Sequence, residues 1–166
     1  MKAILTLSIF IFLLSCSEDK IKTSEGRFEL PEPDKEQRIN VEVSNSLLSL
    51  SKEIAVSDSI GLSKSGRKLI NSGTEILRVL QLSFTDSTIT KVYSNPNHRY
   101  LSKGELAILV ADKIKSIPIA RVVGVQQCTP PFDSDIESYL ERISDNPEAF
   151  TSKYNEWRST GGLTKE

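Results

Sequence analysis

One short box recurs along this chain and does more than any other feature to limit its fold. It appears as Ser72-Gly73-Thr74-Glu75, Ser102-Lys103-Gly104-Glu105, Ser134-Asp135-Ile136-Glu137 and Asp145-Asn146-Pro147-Glu148. In each, a residue with a short polar side chain precedes a glutamate by three positions. The two can satisfy each other's backbone donors at a helix start. Apolar residues at helical spacing follow. Ile136, Tyr139, Leu140 and Ile143 stand at i, i+3, i+4 and i+7, and Phe150, Tyr154 and Trp157 at i, i+4 and i+7. After the Ser102 box, Leu106 to Ala111 is apolar on every side, as suits a helix at the centre of a domain.

Other stretches fit the same plan. Leu47, Leu50 and Ile54 fall at helical intervals, with Asn45 or Ser46 as the expected N-cap. Leu62, Leu69, Ile70, Ile76, Leu77, Leu80 and Phe84 form one stripe, which the Ser72 box is expected to break near Gly73. Thr85 to Ser94 leans towards strand because of its β-branched residues, and Asn95-Pro96-Asn97-His98 has turn chemistry. Pro118 ends or restarts a helix, and Ile119 to Val123 is a short helix or strand. The fold class expected is mainly α: a small helical bundle-like domain with one or two short strands.

The first residues carry a different message. Lys2 is followed by an almost wholly apolar run from Ala3 to Leu14, then Ser15 and Cys16. A charged start, a short apolar stretch and a small-residue processing site read as an export signal. The run is shorter than the about 20 residues that a membrane span needs. Its end, Leu13-Leu14-Ser15-Cys16, resembles the lipobox of bacterial lipoproteins. The resemblance implies cleavage before Cys16, acylation of that cysteine, and attachment to the cell envelope through the acyl chains. Ser17-Glu18-Asp19 resembles the acidic signal that sends some lipoproteins to the outer face, and reads equally well as ordinary tether solubility.

The expected organisation is a signal peptide at 1–15, a lipidated polar tether at 16–40, a helical domain at 41–160 and a frayed tail at 161–166. Basic residues number 21 and acidic ones 22, which gives no electrostatic case for nucleic acid. The expected location is the bacterial envelope at the outer membrane, on its periplasmic or surface face. The expected partners are the membrane, through lipid on Cys16, and a protein or envelope polymer.

Chemistry-bearing residues are sparse. His98 is the single histidine, and Cys128 is the cysteine left once Cys16 is acylated. A nucleophilic pair would have to use Cys128 with His98 as base, and Asp86, Asp112 or Asn97 as orienter. Burial of Cys128 and exposure of His98 in a turn are the ordinary alternatives. One histidine and one cysteine cannot fill a zinc site, calcium and phosphate loops are absent from the sequence, and no cofactor is expected. Asp133, Asp135, Glu137, Asp145 and Glu148 sit where helix capping accounts for them. Gln126, Gln127 and Phe132, around a rigid Pro130-Pro131 turn, form a candidate binding loop. The reading that results is a binding or interaction lipoprotein, with an envelope hydrolase using Cys128 and His98 as the rival.

Overall fold

A computed structural model of the chain describes residues 34–124 and 135–162. The expected signal peptide, Cys16, most of the tether, and Gln126, Gln127, Cys128 and Phe132 lie outside the described residues. The fold is mainly α with one antiparallel hairpin, as the boxes and stripes imply. Among the described residues, no helix is long and apolar enough to cross a membrane.

Helix α1 (Lys35–Glu53) starts before residue 41, so residues 35–40 belong to the folded domain and not to the tether. Their polar surface resembles tether composition, but Ile39 stands four residues before Val43 and continues its phase. Val43, Ser46, Leu47 and Leu50 are buried, and Ile39 packs beside them. Burying each leucine contributes about 1.5–3 kcal/mol. Asn45 and Ser46, expected as caps, lie inside this helix instead.

A 3₁₀ turn (Ser57–Leu62) leads to α2 (Lys64–Asn71). Ser63 caps α2, its hydroxyl accepting from the Gly66 amide at 2.9 Å. The turn disrupts the expected stripe, and Leu62 is 77% exposed. Gly66 lets the helix approach this turn closely. A Cβ there would stand 1.8 Å from the Ile60 carbonyl oxygen.

The break near Gly73 is present, but the Ser72 box is not formed. Gly73 takes φ +67 and Ser72 stays helical at φ −67, ψ −14. An N-cap needs an extended backbone, so the Ser72 hydroxyl donates back to Lys68 O at 2.9 Å. A short 3₁₀ stretch (Gly73–Ile76) and α3 (Leu77–Gln81) follow.

Strands β1 (Ile89–Ser94) and β2 (Arg99–Ser102) pair antiparallel, with Tyr93 opposite Tyr100 and an irregularity between Ile89 and Tyr93. Tyr93 also donates its amide to Ala55 O at 2.8 Å, which ties the hairpin to the end of α1. The Ser102 box is fully formed and opens α4 (Lys103–Ile114), in which Gly104 through Ala111 are all buried. Helix α5 (Ile119–Val122) restarts after Pro118.

Ser134, the first residue of its box, lies outside the described residues. Asp135 accepts from the Glu137 amide at 3.0 Å and opens a 3₁₀ turn (Ile136–Tyr139) into α6 (Leu140–Ser144). Asn146, not Asp145, caps α7 (Pro147–Trp157) by accepting from the Ala149 amide. Phe150, Tyr154 and Trp157 are core residues, with Phe84 and Tyr154 edge to face at 5.0 Å.

Gly66→Ala is expected to destabilise the domain, because backbone and not a flexible side chain fills the space. Overpacking of this kind costs about 1–3 kcal/mol. Thermal unfolding followed by circular dichroism should show a lower midpoint with unchanged helix content below it.

Candidate functional site

A groove of about 900 Å³ lies along α1 and α2. Its α1 wall carries Gln37, Val41, Asn45, Ser49 and Glu53, an inclined row with four-residue spacing. Its α2 wall carries Lys64, Ser65 and Lys68. The helices face each other because Val43, Leu47 and Leu50 on one and Leu69 on the other enter the same core. Polar groups fasten the walls. Glu53 accepts from the Ser65 amide at 2.9 Å and its hydroxyl at 2.6 Å, and these bonds hold its carboxyl below the ordinary value. Lys68 pairs with Glu42 at 3.0 Å. A second cavity of about 240 Å³ shares Glu42, Ser46 and Lys68 with the groove. The ion pair thus stands between two parts of one trough. Both its side chains are more than half exposed, so it contributes at most about 1 kcal/mol.

Two buried carboxylates, Glu137 and Glu105, organise another part of the domain. Glu137 is 5% exposed and accepts from Ser57 Oγ at 2.5 Å and Ser94 Oγ at 2.7 Å. Asn97 adds bonds to Ser94 Oγ and to Glu137 O, at 2.8 and 2.7 Å. This network ties the 3₁₀ turn, the end of β1 and the hairpin loop to the segment after residue 134. Hydrogen bonds to a charged group contribute about 1.5–3 kcal/mol each. Glu105 is held by both guanidinium nitrogens of Arg99 and by the Ser102 amide. The same carboxylate raises the Arg99 pKa. The sequence offers helix capping as the reason for Glu137, and the structure adds a buried three-way junction.

His98 is exposed in the hairpin loop at φ 51. The groups expected to orient it are engaged elsewhere. Asp86 accepts from Thr88 N and pairs with Lys103, and these contacts lower its pKa. Asn97 serves Glu137. Asp112 accepts from the Ile117 amide at 2.7 Å. Cys128, Gln126, Gln127 and Phe132 fall outside the described residues, and with them the Cys128–His98 pair and the Gln126–Gln127–Phe132 surface. Among the described residues, no group of three or more His, Cys, Asp or Glu side chains could hold a metal ion.

Burial also acts on Tyr154 and Asp112. Burial pushes the Tyr154 phenol up to about 12, and its hydroxyl is shut off from solvent without a partner. Burial also pushes the Asp112 carboxyl up, against the pull of the Ile117 amide. Neither residue lines the groove.

Comparison of the chain with family models, curated proteins and solved structures found no match. The groove escapes sequence reading because the first part of its α1 wall, up to residue 40, looks like tether and its α2 wall like an ordinary basic helix start. The one available signal is the row of uncharged hydrogen-bonding residues at Gln37, Asn45 and Ser49 on the face away from Val43, Leu47 and Leu50.

Two variants test this electrostatic account. Arg99→Ala leaves the Glu105 carboxylate buried without its cation. Breaking such a pair, reduced here because Arg99 is 33% exposed, should cost about 2–3 kcal/mol in urea unfolding. Lysine at the same position should recover part of it. At Asp112 the sign is opposite. Its folded-state pKa lies above the ordinary 3.8, so the folded state binds that proton more tightly. The stability this supplies is present at low pH and lost as pH rises through the raised pKa. Asp112→Asn should therefore be more stable than the parent at pH 7, and the gap should close as pH falls towards 4.

Proposed function

We propose that this chain is an exported bacterial lipoprotein whose helical domain is a binding module held to the envelope by acyl chains on Cys16. One observation carries the reading: Lys2, the apolar run to Leu14, and Leu13-Leu14-Ser15-Cys16 in the order that export and acylation require. Two or more acyl chains make a lasting anchor, whereas one holds only marginally. The domain contributes a preformed concave surface. Its α1–α2 groove lies within the roughly 300–1,000 Å³ of ordinary ligand sites. Its α1 wall mixes the amides and hydroxyls of Gln37, Asn40, Asn45, Ser46 and Ser49 with Arg38, Val41, Glu42 and Glu53, a set that suits recognition. The partner in this reading is a protein or an envelope polymer, met outside the cytoplasm.

Intact-mass measurement on protein extracted from host membranes tests the anchor. The expected species lacks residues 1–15 and carries added acyl mass at Cys16. Cys16→Ala should lose the acyl mass and leave the membrane fraction or remain uncleaved. An unmodified species starting at Met1 in the wild type would overturn the proposal.

A further inference from the structure

The β1–β2 hairpin carries a solvent face of its own. Ile89 stands opposite Ser102 in the pairing, and Tyr93 opposite Tyr100. Opposed residues point to the same face of a sheet, so these four share one face, while Val92 and Leu101 are buried on the other. Ile89 is 65% exposed and Tyr100 55%. The rings of Tyr93 and Tyr100 meet edge to face at 5.5 Å, which fixes the exposed ring in place. Beside this face, the end of α1 and the start of β1 flank a cleft of about 560 Å³, whose lining includes Lys52, Ile54, Ala55, Ile89 and Lys91. Ile89 belongs to both the face and the cleft.

The distribution of charge says what such a surface suits. The chain as a whole has a net charge of −1, yet the stretch from Ser87 to Gly104 holds no acidic residue and contains Lys91, His98, Arg99 and Lys103. Arg99 and Lys103 are spent on Glu105 and Asp86. Lys52 and Lys91 form no ion pair among the described residues. Glu53, which shares the cleft with them, is turned to the amide and hydroxyl of Ser65. Asp58 meets the hairpin only at its loop, on Asn95. An exposed isoleucine, tyrosines with polar tips and unpaired lysines form the set that suits a lipid surface. The apolar part enters the acyl boundary, the phenols stay at headgroup level, and the ammonium groups reach anionic phosphates.

We propose that the hairpin face docks on the bilayer to which the chain is attached, with Ile89 and Tyr100 in the interface and Lys52 and Lys91 on the phosphates of anionic lipid. This rests on the reading of Cys16 as an anchor. Residues 17–33 separate Cys16 from Asp34, and a chain of that length spans at most about 60 Å when fully extended. The domain is thereby held within reach of one membrane, and attachment raises the effective concentration of that surface. Two apolar side chains and two lysines are a modest attraction for a free protein. For an attached domain they decide which side faces the lipid.

The test uses the full chain reconstituted in vesicles of brominated phosphatidylcholine and phosphatidylglycerol in equal parts. Bromine quenches a tryptophan that enters the interface. Trp157 is buried and supplies a constant background. Tyr100→Trp should be quenched, whereas Glu75→Trp, at an exposed position outside the hairpin, should not. Adding Lys52→Glu with Lys91→Glu to the Tyr100→Trp chain should weaken docking about tenfold or more and remove most of the quenching. A second reading needs no substitution. Amide hydrogen exchange across residues 89–102 should be slower on these vesicles than on phosphatidylcholine alone, with residues 73–76 unchanged. Equal quenching of the two reporters, quenching indifferent to the lysine reversals, or identical exchange on both vesicles would overturn the proposal. The full chain stays on the vesicle whether acyl chains or an uncleaved 1–15 run hold it, so these outcomes report on the hairpin alone. The acyl mass at Cys16 is measured separately and reports on the anchor.

Discussion

Helix α4 has no solvent face from Leu106 to Ala111, so the rest of the domain must surround it. Helices α1, α2 and α3, the 3₁₀ turns at Ser57–Leu62 and Ile136–Tyr139, and β2 all pack against it. A helix buried all round leaves its ends as the places where polar groups must be satisfied. The start is handled by the Ser102–Glu105 box, to which Arg99 adds a charge-assisted fork. At the far end the Lys115 amide donates to Ala111 O, and beyond the helix the Asp112 carboxylate accepts from the Ile117 amide. Burial raises the pKa of Asp112, and the Ile117 amide works against that rise.

Much of this was legible locally. The Ser102 box, the unbroken apolar run behind it and the Phe150–Tyr154–Trp157 face declare themselves within a few residues of sequence, and they are as expected. The β-branched stretch before Asn95 also gave its strand away. What depended on the backbone of one special residue was not legible. Gly73, by adopting the left-handed conformation, keeps Ser72 at the end of α2 and denies it a capping role. The start of α1 was hidden for a different reason. A helix with one buried stripe shows solvent the same polar residues that a tether does, and only Ile39 distinguishes them.

The candidate site was less legible than the fold. Glu137 meets Ser57 and Ser94 at sequence separations of 80 and 43 residues. No local pattern announces a junction assembled from such distances. The groove has the same character, since it belongs to two helices and to neither alone. The reactive-looking residues of the sequence drew attention away from it. His98 stands in a loop, with its neighbour Asn97 bonded to Ser94 and Glu137 in support of the fold.

The Glu137 junction has a consequence for how the polypeptide tolerates change. Ser57, Ser94 and Asn97 all precede Gly124, whereas Glu137 follows Asp135. The final helices are therefore clasped to the earlier ones by hydrogen bonds and by shared core, with Phe84 against Phe150 and Tyr154. A substitution at Ser57 or Ser94 is therefore felt far along the chain, where it loosens the hold on the segment that leads into α6 and α7.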